Sequence, residues 1–114
     1  MRSEHLFAGI HVGELPRARD FYERLLGREP DLVPNSRECA WQLHEGAWVV
    51  LIAGGAEPGG AQHTLILEEL DGFLGEIRSR GIVPGPVKPV GPGMVQSVVV
   101  DPDGNRLKLA APQG

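Results

Sequence analysis

The sequence has a single cysteine, Cys39, among 114 residues. That excludes an internal disulfide and a cysteine-built zinc site within one chain, and Cys39 reads as a small strand residue. Long hydrophobic runs are also missing. The longest, Trp48 to Ala53, is far too short to span a bilayer, and the N-terminal "MRSEHLF" lacks the apolar core of a signal peptide. There is no basic run, and a net charge of −4 argues against a nucleic-acid or acidic-membrane partner. No Gly-x-Ser-x-Gly elbow, P-loop or dinucleotide fingerprint occurs, and no nucleophile has an evident base beside it. "GGAEPGG" has neither the lysine nor the following helix of a phosphate loop. A soluble cytoplasmic protein is expected.

What is there is an ordinary globular balance, 41% hydrophobic and 23% charged, in a chain the size of one domain. Sixteen glycines and ten prolines predict many short elements joined by turns. "HLFAGIHV" (5–12) alternates as a strand, with Leu6, Ala8, Ile10 and Val12 on one face and Phe7, Gly9 and His11 on the other. In "GELPRARDFYERLLG", Ala18, Phe21, Tyr22, Leu25 and Leu26 recur at helical spacing; Pro16 suits the first turn and Gly27 the left-handed cap. "REPDLVP" is a weak strand candidate. "ECAWQLH" and "AWVVLIA" are stronger, joined by a hairpin at 44–46. "GGAEPGGA" (54–61) breaks all periodicity and reads as a flexible connector.

The pattern then restarts. "QHTLILEE" predicts a strand, and "LDGFLGEIRSRG" a helix with Asp71 as N-cap and Gly81 at its end. "IVPGPVKPVGPG" predicts an edge-like strand or loop. "MVQSVVV" and "RLKLAA" are strands joined by the turn residues "DPDGN". Glu14-Leu15 and Glu69-Leu70 open the two helices at nearly half the chain's separation, so an internal repeat is expected. The fold class is α+β: two tandem βαβββ modules, about 1–53 and 62–114 with a linker at 54–61, forming a curved mixed sheet around a central cleft with helices outside. Alternate strand residues would line that cleft, a natural place for a small molecule.

These motifs resemble the vicinal oxygen chelate superfamily, which includes glyoxalase I, extradiol dioxygenases and bleomycin-resistance proteins. "VGELPRARDFYERLLGREP" looks like its first-helix signature, "DPDGNRLKL" like its last hairpin, and "LEELDGFLGEIRSRGI" like its second helix. In metal-dependent members the resemblance implies histidines from the first strand of each module and glutamates from the last. Carried onto this chain, those positions are Phe7, Gln62 and Lys108, and the end of "AWVVLIA" offers no donor before Glu57. A ring cannot coordinate, an amide is at best a weak oxygen ligand, and an ammonium repels a cation. No metal and no other cofactor is therefore expected. His5 and His63 are off the matching positions: His5 sits nearer the rim, and His63 shares the parity of Leu65 and Leu67.

Parity instead offers Phe7, His11, Gln62, Thr64 and Lys108 to a ligand, with Arg106 nearer the turn. Trp41 and Trp48, on strands of unknown register, are candidate stacking walls, with core packing as the alternative. Two functions stay open. One is a metal-free module that binds a small organic molecule, as the drug-sequestering members do. The other is a metal-dependent glyoxalase-like lyase, isomerase or dioxygenase with atypical ligands. A third, blander possibility is an accessory domain without chemistry. The resemblance also implies a homodimer.

Overall fold

The alternating "LFAGIHV" forms the first strand, β1 (Leu6–Val12), in the computed structural model, which describes residues 1–114. Helix α1 (Leu15–Leu26) follows, with Pro16 in its first turn. Gly27 ends it at φ 78°, a conformation that costs an L side chain, and its N–H donates to the Glu23 carbonyl at 2.8 Å. No side chain caps the N-terminus. The helix is held instead by its buried stripe, Ala18, Phe21, Tyr22 and Leu25; each large side chain so buried contributes about 1.5–3 kcal/mol.

Strands β2 (Leu32–Asn35), β3 (Glu38–His44) and β4 (Ala47–Ala53) complete the first half. The second half repeats the order with β5 (Gln62–Ile66), α2 (Asp71–Ser79), β6 (Lys88–Pro89), β7 (Met94–Val100) and β8 (Arg106–Pro112). The strands hydrogen-bond into two sheets, β1-β4-β3-β2 and β5-β8-β7-β6. In each, the first strand runs parallel to the last and the rest are antiparallel. This is the tandem βαβββ, α+β architecture that the sequence predicts.

Three local expectations need correction. Asp71 is the first helical residue and not the N-cap; that place belongs to Leu70, and the Glu69 carboxylate takes the free N–H of Gly72 at 2.9 Å. The strand predicted over "QHTLILEE" stops at Ile66. The connector at 54–61 is anchored: the Ala61 N–H donates to Asn105 Oδ1 at 2.9 Å, and Gly59, at φ 99°, lies so close to the Asp103 carbonyl that a Cβ would sit 2.5 Å from it.

Both helices pack on one face of the sheets. A continuous cluster of eighteen buried residues draws on both halves, from Ile10, Tyr22 and Leu51 to Leu74, Ile77 and Leu109, so neither half closes a core alone. The "DPDGN" turn reinforces the junction. Asp101 is buried, and its Oδ2 accepts from the Tyr22 hydroxyl (2.8 Å) and from Asn105 Nδ2 (2.9 Å); its Oδ1 accepts the N–H groups of Asp103 and Asn105. Asn105 Nδ2 also reaches the His11 carbonyl at 3.0 Å. The turn motif is thus a clasp between modules. The molecule measures 41 × 39 × 24 Å, a slab with helices on one side and an open sheet face on the other.

Candidate functional site

The open face is the one turned away from the helices, and register decides what lies on it. In the first sheet Phe7 pairs with Trp48, Gly9 with Val50 and His11 with Ile52. The β3 partners of Trp48, Val50 and Ile52 are Gln42, Ala40 and Glu38. Paired residues share a face, so Phe7, His11 and Trp48 stand together on the open side. The Phe7 and Trp48 rings stack at 5.1 Å between centroids and 18° between planes. Trp48 Nε1 donates to His5 Nδ1 at 3.1 Å, which fixes the indole's orientation. Phe7 remains 50% exposed, so the stack presents an aromatic surface to whatever occupies this side.

Trp41 belongs elsewhere, which corrects its place among the candidate ligand contacts. It pairs with Val49 on the helix side, is fully buried, packs near Tyr22 and donates its Nε1–H to the Arg28 carbonyl at 3.0 Å. Two tryptophans seven positions apart on consecutive strands have opposite roles because the hairpin register places them on opposite faces.

His11 is half-buried beside Gly55 and Ile52, and its Nδ1 is buried without a partner. Its backbone is held by Asn105, so the ring's place is set by the inter-module clasp. His63, on the helix-side parity of β5, spans the junction with Nε2 3.3 Å from the Gly9 carbonyl.

In the second sheet Gln62 pairs with Arg106, Thr64 with Lys108 and Ile66 with Ala110. On β7, Val98 faces Lys108 and Gln96 faces Ala110, and Lys88 of β6 lies beside Gln96. Gln62, Thr64 and Arg106 are exposed and Lys108 is half-buried. Lys88 and Gln96 are not among the residues that strand parity offers from the sequence. The signal was present in the "DPDGN" hairpin, whose register fixes the facing of β7, but the proline-rich "VPGPVKP" hides the strand character of Lys88.

Phe7 and Trp48 come together, as do Thr64 and Lys108. Trp48 and Thr64 also share a cavity of about 210 Å³ between the modules with Leu6, Leu43 and Leu65. An adjoining apolar cavity of about 340 Å³ shares Leu43, Ala47, Thr64 and Leu65 and reaches Phe73. No cavity is lined by Lys108 together with Phe7 or His11.

The donor set does not suit a divalent ion. Phe7 is committed to a ring stack, Lys108 brings a positive charge, and the matching end of β4 is Ile52 and Ala53. No three histidine, cysteine, aspartate or glutamate side chains gather anywhere in the molecule. Two buried groups are chemically quiet. Burial, with the adjacent Asp101 carboxylate, pushes the Tyr22 phenol far above its ordinary range, and burial raises the Cys39 thiol. No helix is long and apolar enough to cross a membrane.

Among solved structures the chain is similar to a glyoxalase/bleomycin resistance protein from Catenulispora acidiphila, at 34% identity over 96% of this chain and 98% of that one, with a TM-score of 0.88. It is similar in fold to TnmS3, an antibiotic binding protein from a Streptomyces species (22% identity, 97% of both chains, TM-score 0.78). The same holds for a lactoylglutathione lyase from Agrobacterium tumefaciens (14% identity, 97% of this chain and 95% of that one, TM-score 0.79). No protein-family model and no curated protein matches the chain.

Proposed function

The chain belongs to the glyoxalase/bleomycin resistance protein family, within the vicinal oxygen chelate superfamily, and from that premise we propose that it is a cytoplasmic, metal-free binder of a small organic molecule. Antibiotic sequestration is the instance that best matches the similarity to TnmS3. The observation that carries the reading is the Phe7–Trp48 stack. At the strand position where metal-dependent relatives of the superfamily place a ligand to the ion, this chain has a ring that presents a flat apolar surface. Lys108, at the second matching position, opposes a cation by Coulomb repulsion.

Binding here rests on stacking and apolar contact, with the half-buried His11 beside the stack and Gln62, Thr64 and Lys108 as polar contacts that set orientation. The exposed Phe7 and Ile66, at 50% and 66%, favour a homodimer in which a second copy covers the open face and completes the walls around the guest. Sedimentation of the free protein tests that part.

Tryptophan emission tests the main reading. Titration with polycyclic aromatic antibiotics should quench Trp48 saturably, and the protein stripped of metal by a chelator should bind equally well. A stoichiometric divalent ion in protein purified without added metal, with binding lost on its removal, would replace this reading with the metal-dependent one.

A further inference from the structure

Both lysines of the chain, Lys88 and Lys108, fall on the open face of the second sheet, and Arg106 joins them. The register puts Lys108 between Thr64 and Val98, Arg106 between Gln62 and Val100, and Lys88 beside Gln96. None of the strand residues on that face is acidic. The ion pairs of the molecule involve Arg17, Arg19, Arg24 and Arg28, so these three cations have no carboxylate partner. An acidic protein of net charge −4 has thus gathered unpaired positive charge on one wall.

That wall has a recess. Lys88, Arg106 and the Gln96 amide line a cavity of about 280 Å³ with Val98, Pro86 and Val90. The donors are an ammonium, a guanidinium fork and an amide, and the remaining lining is apolar. Such a set suits an oxyanion attached to a compact carbon skeleton, because the ammonium and the guanidinium fork donate charge-assisted hydrogen bonds while the apolar residues meet the skeleton. A cationic guest would meet repulsion there with no carboxylate to offset it.

We propose that this recess binds an organic oxyanion, an aromatic carboxylate or phosphate, whose head group is held by Lys88, Arg106 and Gln96. This rests on the small-molecule reading above and adds a second place on the open face, apart from the Phe7–Trp48 stack, with the charge of the molecule it takes. The cavity is at the small end of ligand sites, room for a head group and its first ring.

The test uses benzoate, phenyl phosphate and benzamide as probes on the full chain, followed by backbone amide shifts. Benzoate or phenyl phosphate should move the Lys88, Gln96 and Arg106 amides saturably, and the stronger of the two identifies the head group. Benzamide should bind about tenfold more weakly or worse, and 0.5 M salt should weaken the anions. Lys88→Gln with Arg106→Gln, both at exposed side chains, should erase the preference for anions while leaving the spectrum otherwise intact. Equal shifts by benzamide, or none by either anion, overturn the proposal whether or not aromatic antibiotics quench Trp48. Saturable anion binding with no aromatic ever reaching Trp48 would leave the recess standing and defeat the reading it was built on. If the double variant instead dissociates a dimer and the anions never bind, the cations serve a protein carboxylate, and the inference fails.

Discussion

The Tyr22 hydroxyl donates to Asp101 Oδ2 at 2.8 Å, joining the first helix to the last turn across 79 residues. The chain has one tyrosine, so its ionisation can be followed without interference. Burial and the neighbouring carboxylate raise the folded-state pKa above the ordinary value near 10. The sign follows from linkage: the folded state holds the proton where the unfolded state releases it. The contribution to stability is therefore complete below about pH 10 and is lost as pH rises beyond it. Tyrosinate absorbance should stay absent through that region until the chain unfolds.

Tyr22→Phe removes the donor and leaves Asp101 Oδ2 with Asn105 Nδ2 as its remaining side-chain partner. Urea unfolding at neutral pH should show a loss of about 1–3 kcal/mol, and the alkaline loss of stability should flatten. An unchanged alkaline limb would mean that another group titrates there.

The two tryptophans should separate stability from binding. Trp41→Ala empties a fully buried site in the core and should cost about 3–5 kcal/mol by denaturant titration. Trp48→Ala removes the open-face partner of Phe7; it should change stability far less and weaken aromatic-ligand binding at least about tenfold by calorimetry, a readout that does not depend on the indole removed. A Trp48→Ala variant that binds as well as the parent would show that the guest lies elsewhere.

Gly59→Ala probes the anchored connector. A Cβ there would lie 2.5 Å from the Asp103 carbonyl, in a backbone conformation at φ 99° that alanine resists. A loss of about 1–3 kcal/mol is expected. Gly60→Ala, where a Cβ meets nothing within 4 Å and φ is not positive, is the control and should be near neutral.

Metal affinity should be absent from the parent chain and recoverable only in combination. Zinc, nickel or manganese should leave the parent's melting temperature unchanged. Lys108→Glu alone should do little, because the ring of Phe7 and the amide of Gln62 remain. The triple variant Phe7→His, Gln62→His, Lys108→Glu supplies imidazoles and a carboxylate at the three matched positions and should gain a metal-dependent rise in melting temperature.

Much of this architecture is legible in the residues. The periodicity of Ala18, Phe21, Tyr22 and Leu25 marks α1, and the alternation in "LFAGIHV" puts Ile10 and Val12 inside and Phe7 outside. The facing of Trp41 and Trp48 was not legible, since both lie in near-continuous apolar runs where period-two alternation vanishes and only the hairpin register decides. Asp71 misled as a cap because the helix starts one residue earlier than expected, and the Glu69 carboxylate, just before the Leu70 cap position, takes the Gly72 N–H. The facing of Lys88 is not legible because it depends on β7, a partner that a two-residue strand ending in Pro89 does not announce.

The outermost strands carry a last consequence. β2 contains Pro34 and β6 contains Pro89, residues that offer no N–H along a border. Extension of either sheet by a neighbour's backbone is thereby discouraged at both rims, and self-association is steered toward broad faces, where side chains and not main-chain ladders choose the companion.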